Sequence, residues 1–212
     1  IVTRPQPRIS PATDSNNNIA AVILAAGRST RMGGHNKLLA EFHGKPLVRV
    51  VAEQVLASKV SSVTVVTGYQ AAEVERALRG LNVTFVYNPD FPTGLASSLK
   101  AGIGVAPQEA GGALICLGDM PLIDARLLDR LIAAFAPDRG MLIAVPVSDG
   151  SRGNPVLWSR RFFGELMLLE GDVGARNLIA QHTEVVAEVA VEDQGAFLDI
   201  DTPQALMAAQ GN

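Results

Sequence analysis

The apolar run 19–24 (Ile-Ala-Ala-Val-Ile-Leu) leads without a break into a glycine-rich, basic stretch, Ala25-Ala26-Gly27-Arg28-Ser29-Thr30-Arg31-Met32-Gly33-Gly34-His35-Asn36-Lys37. A continuous apolar run of this length, without alternation, suits a strand covered on both faces, as in a parallel sheet between helices. The crevice beyond the carboxyl end of such a strand is where open α/β sheets hold phosphates. Glycines let backbone N–H groups approach phosphate oxygens, and Arg28, Arg31 and Lys37 can offset a triphosphate's charge. The spacing fits neither G-x-x-x-x-G-K-[ST] nor G-x-G-x-x-G, so neither common nucleotide fingerprint applies. The plain alternative is a solvated turn with scattered basic residues.

Downstream, strand and helix signals alternate. Leu47, Val48, Val51, Val55 and Leu56 recur at helical spacing behind Pro46, which suits a helix start. Residues 63–67 are β-branched and end in Gly68. Residues 71–78 read as a helix closed by Gly80, and residues 83–86 as a third strand. This order predicts parallel pairing with right-handed crossovers. A loop, 88–94, precedes a helix over 97–105 with Ser97 or Ser98 near its start. Residues 113–117 form another buried strand, followed by Gly118-Asp119-Met120-Pro121.

The second half continues with a helix at 127–135, a strand at 141–147 and a turn at 149–154 that contains Arg152. Residues 155–158 suit a short strand whose Pro155 fits an edge or a strand start. A helix is expected at 162–169. Residues 171–176 open a further one, with Asp172 near its cap and Arg176 one turn in. Strands at 185–191 and 198–200 and a helix at 203–209 complete the pattern. Residues 1–18, with three prolines and a Ser/Asn/Asp cluster, read as a flexible linker or tail, and 19–212 as a single domain.

A net charge of −3 with scattered basic residues gives no footprint for nucleic acid. No apolar stretch reaches the ~18 residues of a membrane helix, and no signal-peptide pattern is present, so a cytoplasmic protein is expected. The single cysteine, Cys116, lies in an apolar run and reads as core. His35, His43 and His182 are dispersed and accompany no nucleophile motif, so they read as surface or packing residues.

Asp119 follows a central strand and falls in the same crevice as the opening loop. Mg²⁺ takes hard oxygen ligands and is commonly held by one or two carboxylates plus substrate phosphates. Asp119 is therefore a metal-ligand candidate, with a cap or turn role as the alternative. Asp199 and Asp201 flank Ile200 and share a face by strand alternation. A basic glycine loop, a carboxylate and a second acidic pair together describe a Mg²⁺–nucleotide site, where phosphoryl or nucleotidyl transfer needs positioning and charge neutralisation.

These residues carry a resemblance. The stretch 24–37 is similar to L-A-[AG]-G-x-S-x-R-M-G-x-x-K, the signature of the MobA-like nucleotidyltransferases of molybdenum-cofactor biosynthesis, with one or two extra residues before Lys37. Thr67-Gly68, Gly94-Leu95-Ala96-Ser97-Ser98-Leu99, Leu117-Gly118-Asp119-Met120-Pro121, Gly153-Asn154-Pro155-Val156-Leu157, 171–176 and Asp199-Ile200-Asp201-Thr202-Pro203 match further family segments in order. The third signature position is usually Gly in the guanylyltransferase branch. Here it is Ala26, which resembles the molybdenum cofactor cytidylyltransferases.

The resemblance implies a three-layer, Rossmann-like α/β nucleotidyltransferase fold with a mostly parallel, mixed central sheet. It also implies transfer of CMP from CTP to molybdenum-loaded molybdopterin with release of pyrophosphate. By the same analogy Leu24, Ala25, Ala26, Gly27, Arg28, Thr67 and Gly68 lie on the nucleotide side. Arg31 and Lys37 stabilise charge on the α-phosphate and the leaving pyrophosphate. Gly94, Ser97 and Ser98 fall where the family reads the base. Asp119 holds Mg²⁺, with Asp201 as second ligand and Asp199 in reserve. Asn154, where many relatives carry His, together with Pro155 and Arg176 belongs to the pterin side. A molybdoenzyme or its chaperone would receive the product.

Some family members are fused behind a molybdopterin-binding domain, and a chain that starts at Ile1 fits the C-terminal part of such a protein. The rivals are use of GTP, a sugar or polyol phosphate acceptor, a Rossmann-type oxidoreductase, and a non-catalytic cofactor-binding module. The lack of G-x-G-x-x-G counts against the oxidoreductase.

Overall fold

The structure, a computed structural model, describes residues 18–28, 36–172, 175–192, 197 and 203–210. Its elements run β1 (Ile19–Ala25), β2 (Glu41–Phe42), β3 (Lys45–Pro46), α1 (Leu47–Leu56), β4 (Ser62–Thr67), α2 (Ala71–Ala77), β5 (Thr84–Tyr87), α3 (Leu95–Gly104), β6 (Gly112–Leu117) and α4 (Ala125–Ala134). They continue with β7 (Ile143–Ser148), β8 (Ser151–Arg152), β9 (Val156–Ser159), α5 (Phe163–Leu166), α6 (Arg176–Gln181), β10 (Val186–Ala190) and α7 (Pro203–Gln210). Among the described residues the main sheet has the order β10-β7-β9-β6-β1-β4-β5, with β8 added to β7.

Strand β1 is central and parallel to both neighbours, from Ala20 opposite Ser62 to Ala25 opposite Thr67, and from Ile19 opposite Gly112 to Leu24 opposite Leu117. All seven of its residues are buried. The two-residue period of a strand sends alternate side chains to opposite faces. Ile19, Ala21, Ile23 and Ala25 join α1, α2 and α4 through Val48, Val51, Val74, Leu128 and Leu131. Val22, Leu24 and Ala26 join α3, α5 and α6 through Leu99, Ile103, Leu166, Leu178 and Ile179. One apolar sequence thus feeds two cores, and the result is the expected three-layer, mostly parallel α/β architecture. Cys116 lies at the centre, and burial pushes its thiol up to about 12, consistent with packing.

Several expectations are corrected in detail. Of the edge and the strand start that suit Pro155, the structure has the strand start. Strand β9 lies between β6 and β7 and runs antiparallel to both, while Pro155 precedes its first residue. The turn with Arg152 folds back as β8, where Val147 faces Arg152 and Ser148 faces Ser151. The helix expected at 162–169 is a 3₁₀ turn, Arg160–Phe162, followed by a single α-turn, Phe163–Leu166. A β2–β3 hairpin, turning at His43 (φ +49°) and Gly44 (φ +81°), was not anticipated. Residues 1–17, the strand expected at 198–200, and the acidic pair Asp199 and Asp201 lie outside the described residues.

Helix α3 lies close against the sheet because Gly102 has no side chain. A Cβ there would stand 2.3 Å from Val22 Cγ1 and 3.1 Å from Val66 Cγ2, both on buried β-branched strand residues. Gly102→Ala should therefore lower stability by roughly 1–3 kcal/mol, the usual cost of overpacking. Chemical denaturation checks this, and an unchanged midpoint would mean that α3 lifts freely off β1.

Candidate active site

The site lies at the carboxyl ends of β1, β4 and β6, where parallel strands deliver their loops to one edge. Gly118 N–H donates to the Leu24 carbonyl at 3.0 Å and Tyr69 N–H to the Ala26 carbonyl at 3.1 Å, so the loops after β6 and β4 are tied to the opening loop. This close approach needs glycine. A Cβ on Gly68 would meet both Ala26 Cβ and Phe91 Cγ at 2.8 Å, and one on Gly118 would meet the Leu24 carbonyl oxygen at 3.1 Å. Ala25 and Ala26 are buried, whereas Gly27 and Arg28 are exposed. The Arg28 guanidinium stacks over Phe91, 5.3 Å from the ring centroid. Arg31 lies outside the described residues.

Lys37 begins a short 3₁₀ turn (Lys37–Leu39) capped by Asn36, whose Oδ1 accepts from Leu38 N–H at 3.1 Å. Its ammonium pairs with the Asp119 carboxylate, and both side chains are only 15% exposed. Partly withdrawn from water, each charge stabilises the other, and removal of either leaves a poorly solvated partner. The basic loop and the acidic turn, eighty-odd positions apart in sequence, thus form one charged centre.

Asp119 suits a hard divalent cation bound through one carboxylate and the oxygens of a bound phosphate chain. Among the described residues no group of three or more His, Cys, Asp or Glu side chains is placed to hold a metal alone. The Asp119 carboxylate is a hard oxygen donor of the kind that such a cation takes. Asp201, the expected second ligand, and Asp199 lie outside the described residues.

The start of α3 forms the next wall. Asn88, buried after β5, places its Nδ2 2.9 Å from Ser97 Oγ and 3.1 Å from Ser98 Oγ. Ser97 Oγ in turn donates toward the Gly94 and Asp90 carbonyls. Both hydroxyls are thus held by the Asn88 loop. Thr67 is fully buried, with its hydroxyl directed at Glu75 (3.4 Å) and the Val86 carbonyl (3.5 Å). Sequence reasoning missed Asn88 and Phe91, since a loop Asn and a loop Phe carry no distinctive spacing.

Asp172 corrects another expectation. Instead of capping the helix that follows it, its Oδ1 accepts from Leu95 N–H at 2.9 Å and caps α3. The Gly171 carbonyl accepts from Ala96 N–H at 3.0 Å, so two of the first N–H groups of α3 are satisfied by a distant loop. Gly94 (φ +120°) permits this crossing, because a Cβ there would lie 2.6 Å from the Gly171 carbonyl carbon. Helix α6 then begins at Arg176, its first residue and not one turn in.

Beyond this crossing a cleft of about 630 Å³, open solvent included, runs between α3, β9 and α6. Its walls are mainly apolar, including Leu24, Leu99, Ile115, Trp158 and Ile179, and its polar lining comes from Arg152, Asn154 and Arg176. Pro155 is buried beside it. An apolar cleft with a few convergent polar groups is the usual form of a small-molecule site.

Residues 21–185 match the MobA-like NTP transferase domain. The chain belongs to this family. The chain is 28% identical over 193 residues to the molybdenum cofactor cytidylyltransferase of Escherichia coli, covering 91% of this chain and 95% of that one. It is 30% identical to the molybdenum cofactor guanylyltransferase of Vibrio cholerae, covering 97% and 96%. Nicotine blue oxidoreductase of Paenarthrobacter nicotinovorans is 28% identical, covering 87% and 92%. Among solved structures, Rv0371c of Mycobacterium tuberculosis superposes with a TM-score of 0.82 at 28% identity, covering 92% and 98%, and the same protein has been solved in complex with manganese. The matched span contains the basic loop, the carboxylate after β6 and the cleft residues named above. Among the described residues no helix is long and apolar enough to cross a membrane.

The Asp172 cap gives a direct test. Asp172→Ala should cost about 1 kcal/mol of stability, as loss of a helix cap does, while Asp172→Asn should keep most of it. Urea unfolding of both variants checks this, and equal losses would show that the oxygen's acceptor role is not what matters.

Proposed function

We propose that this NTP transferase domain transfers CMP from CTP to molybdenum-loaded molybdopterin, giving molybdopterin cytosine dinucleotide and pyrophosphate. The observation that carries the reading is the Lys37–Asp119 pair at the strand ends beside an apolar cleft lined by Arg152, Asn154 and Arg176. A charged centre for a triphosphate and a separate apolar cleft for a ring-bearing acceptor are what a two-substrate nucleotidyl transfer requires.

In this reading a phosphate oxygen of the acceptor attacks the α-phosphorus of CTP. The bond from that phosphorus to the bridging oxygen breaks, and pyrophosphate leaves. The chain supplies geometry and charge instead of a covalent intermediate. Backbone groups at Leu24, Ala25, Ala26 and Gly27, with Thr67 and Gly68 beneath them, form the nucleotide cradle. Arg28 flanks it. Lys37 and Arg31 stabilise charge that develops on the α-phosphate and the leaving group. Gly94, Ser97 and Ser98 face the base. Asn154, Pro155 and Arg176 form the pterin side. Asp119, with Asp201 as second ligand and Asp199 in reserve, would hold Mg²⁺, which supplies charge neutralisation on the triphosphate when bound.

The choice of CTP rests on Ala26. The V. cholerae guanylyltransferase is as similar as the E. coli cytidylyltransferase, so GTP is the second reading. Ala26 is buried beneath Gly68 and next to Phe91, so its methyl group would act on base choice through the packing of that loop.

Two measurements test the proposal. Incubation with Mg²⁺, molybdenum-loaded molybdopterin and each of the four NTPs should release pyrophosphate with CTP; release with GTP alone would reassign the base, and release with none would favour a cofactor-binding module. Lys37→Ala and Asp119→Ala should each lower turnover by at least about a hundredfold, as loss of a main electrostatic contributor does. An Asp119→Ala protein near wild-type turnover would remove the metal assignment.

A further inference from the structure

Arg152 lies on β8, the short return strand on β7, and lines the apolar cleft. Its Nε donates to Glu188 Oε1 at 3.0 Å, and its Nη2 lies 2.9 Å from the same oxygen. Glu188 belongs to β10, which is parallel to β7 with Glu188 opposite Val145. One carboxylate on the outer strand therefore grips one edge of the guanidinium. An Arg has five N–H donors in a rigid planar fork, so a single carboxylate on its Nε edge leaves the other edge able to donate. That edge has no protein partner among the described residues. The Arg152 side chain is 30% exposed, and Glu188, at 49%, is the more solvated of the two.

We propose that Arg152 is the anion-binding residue on the acceptor side of the cleft, and that Glu188 is its positioning residue. The proposal rests on the reading of this cleft as the acceptor site. An acceptor that attacks through a phosphate must bring that charge into a cleft whose walls are otherwise mainly apolar, where an unpaired anion is costly. A guanidinium held at the wall offers two parallel N–H donors to phosphate oxygens. Glu188 fixes the direction of the fork and lowers the entropy lost when a ligand engages it. It stays more exposed than Arg152, so the pair keeps a partly positive face toward the cleft. The bland reading of the same contact is a clip between the β7–β8 hairpin and the outer strand. The two readings differ in what they predict for ligands.

Trp158 is the only tryptophan of the chain and stands in the cleft wall, so its fluorescence reports ligand entry without catalysis. The probes are neopterin and neopterin monophosphate, titrated into the full chain with no NTP present. Wild type should bind the phosphate ester about ten- to a hundredfold more tightly than the alcohol, the range expected for charge-assisted hydrogen bonds. Arg152→Ala should remove that preference, Arg152→Lys should keep part of it, and Glu188→Gln should reduce it severalfold. The double variant Arg152→Ala/Glu188→Gln should match Arg152→Ala alone, because Glu188 acts through Arg152. A mere clip predicts lower melting temperatures for the single variants with the preference intact, and that result overturns the proposal. So does a wild type that binds both probes equally or neither. If Arg152→Ala does not fold, Arg152→Lys and Glu188→Gln carry the same test, and full preference in both overturns it. Failure of the cytidylyl-transfer reading shows separately, as absence of pyrophosphate release by wild type.

Discussion

Strand β1 is hydrogen-bonded along both edges and buried on both faces, and the rest of the molecule is arranged around that condition. A strand so enclosed has one register, since a slip of a single residue would exchange its two apolar faces. Fixing β1 fixes where Ala26, Gly27 and Arg28 emerge. Fixing its ladders to β4 and β6 fixes where Gly68 and Gly118-Asp119 emerge. The hydrogen bonds from Gly118 to Leu24 and from Tyr69 to Ala26 extend this order one step past the strand ends. The candidate site therefore rests on the strand that is buried on both faces and paired along both edges.

The Lys37–Asp119 pair shows how this frame becomes chemistry. Each side chain is largely withdrawn from solvent and each compensates the other. The pair joins the loop after β1 to the turn after β6 at the carboxyl ends of the strands. On the other side of the α3 N-terminus, Gly94, Gly171 and Asp172 cross at contact distance, so the loop that leads into α6 is fastened to the helix that carries Ser97 and Ser98. The N-terminus of α3 and the segment that precedes α6 thus share one fastening.

Much of this was legible in the chain. The unalternating run at 19–24 announced a doubly covered strand. The β-branched run at 63–67 and the apolar run at 113–117 announced its neighbours, and the helical spacing of Leu47, Val48, Val51 and Val55 announced the layer on one face. Pro155 suited an edge or a strand start because proline lacks an N–H, and it stands just before β9, which leaves the interior ladder intact. What failed was local where long-range pairing prevailed. Asp172 suggested a cap for the next helix, yet its carboxylate reaches Leu95, seventy-seven positions away in the chain. The apolar residues at 162–169 suggested a longer helix, but its α-helical part is one turn. Arg152 looked like one more charge in a turn, since nothing near it in sequence announces Glu188.

The sequence by itself determined the class of fold and the basic, glycine-rich character of the loop at the end of its first strand. Apolar periodicity decides which residues must leave water. Only the tertiary structure decided the partners. It joined Lys37 to Asp119, held Ser97 and Ser98 to Asn88, set Asp172 on α3, and turned Arg152 toward a cleft with Glu188 behind it. Periodicity is a property of neighbouring residues along the chain, whereas an ion pair, a cap or a cleft wall depends on which distant segments the packed sheet brings within about 3 Å of each other.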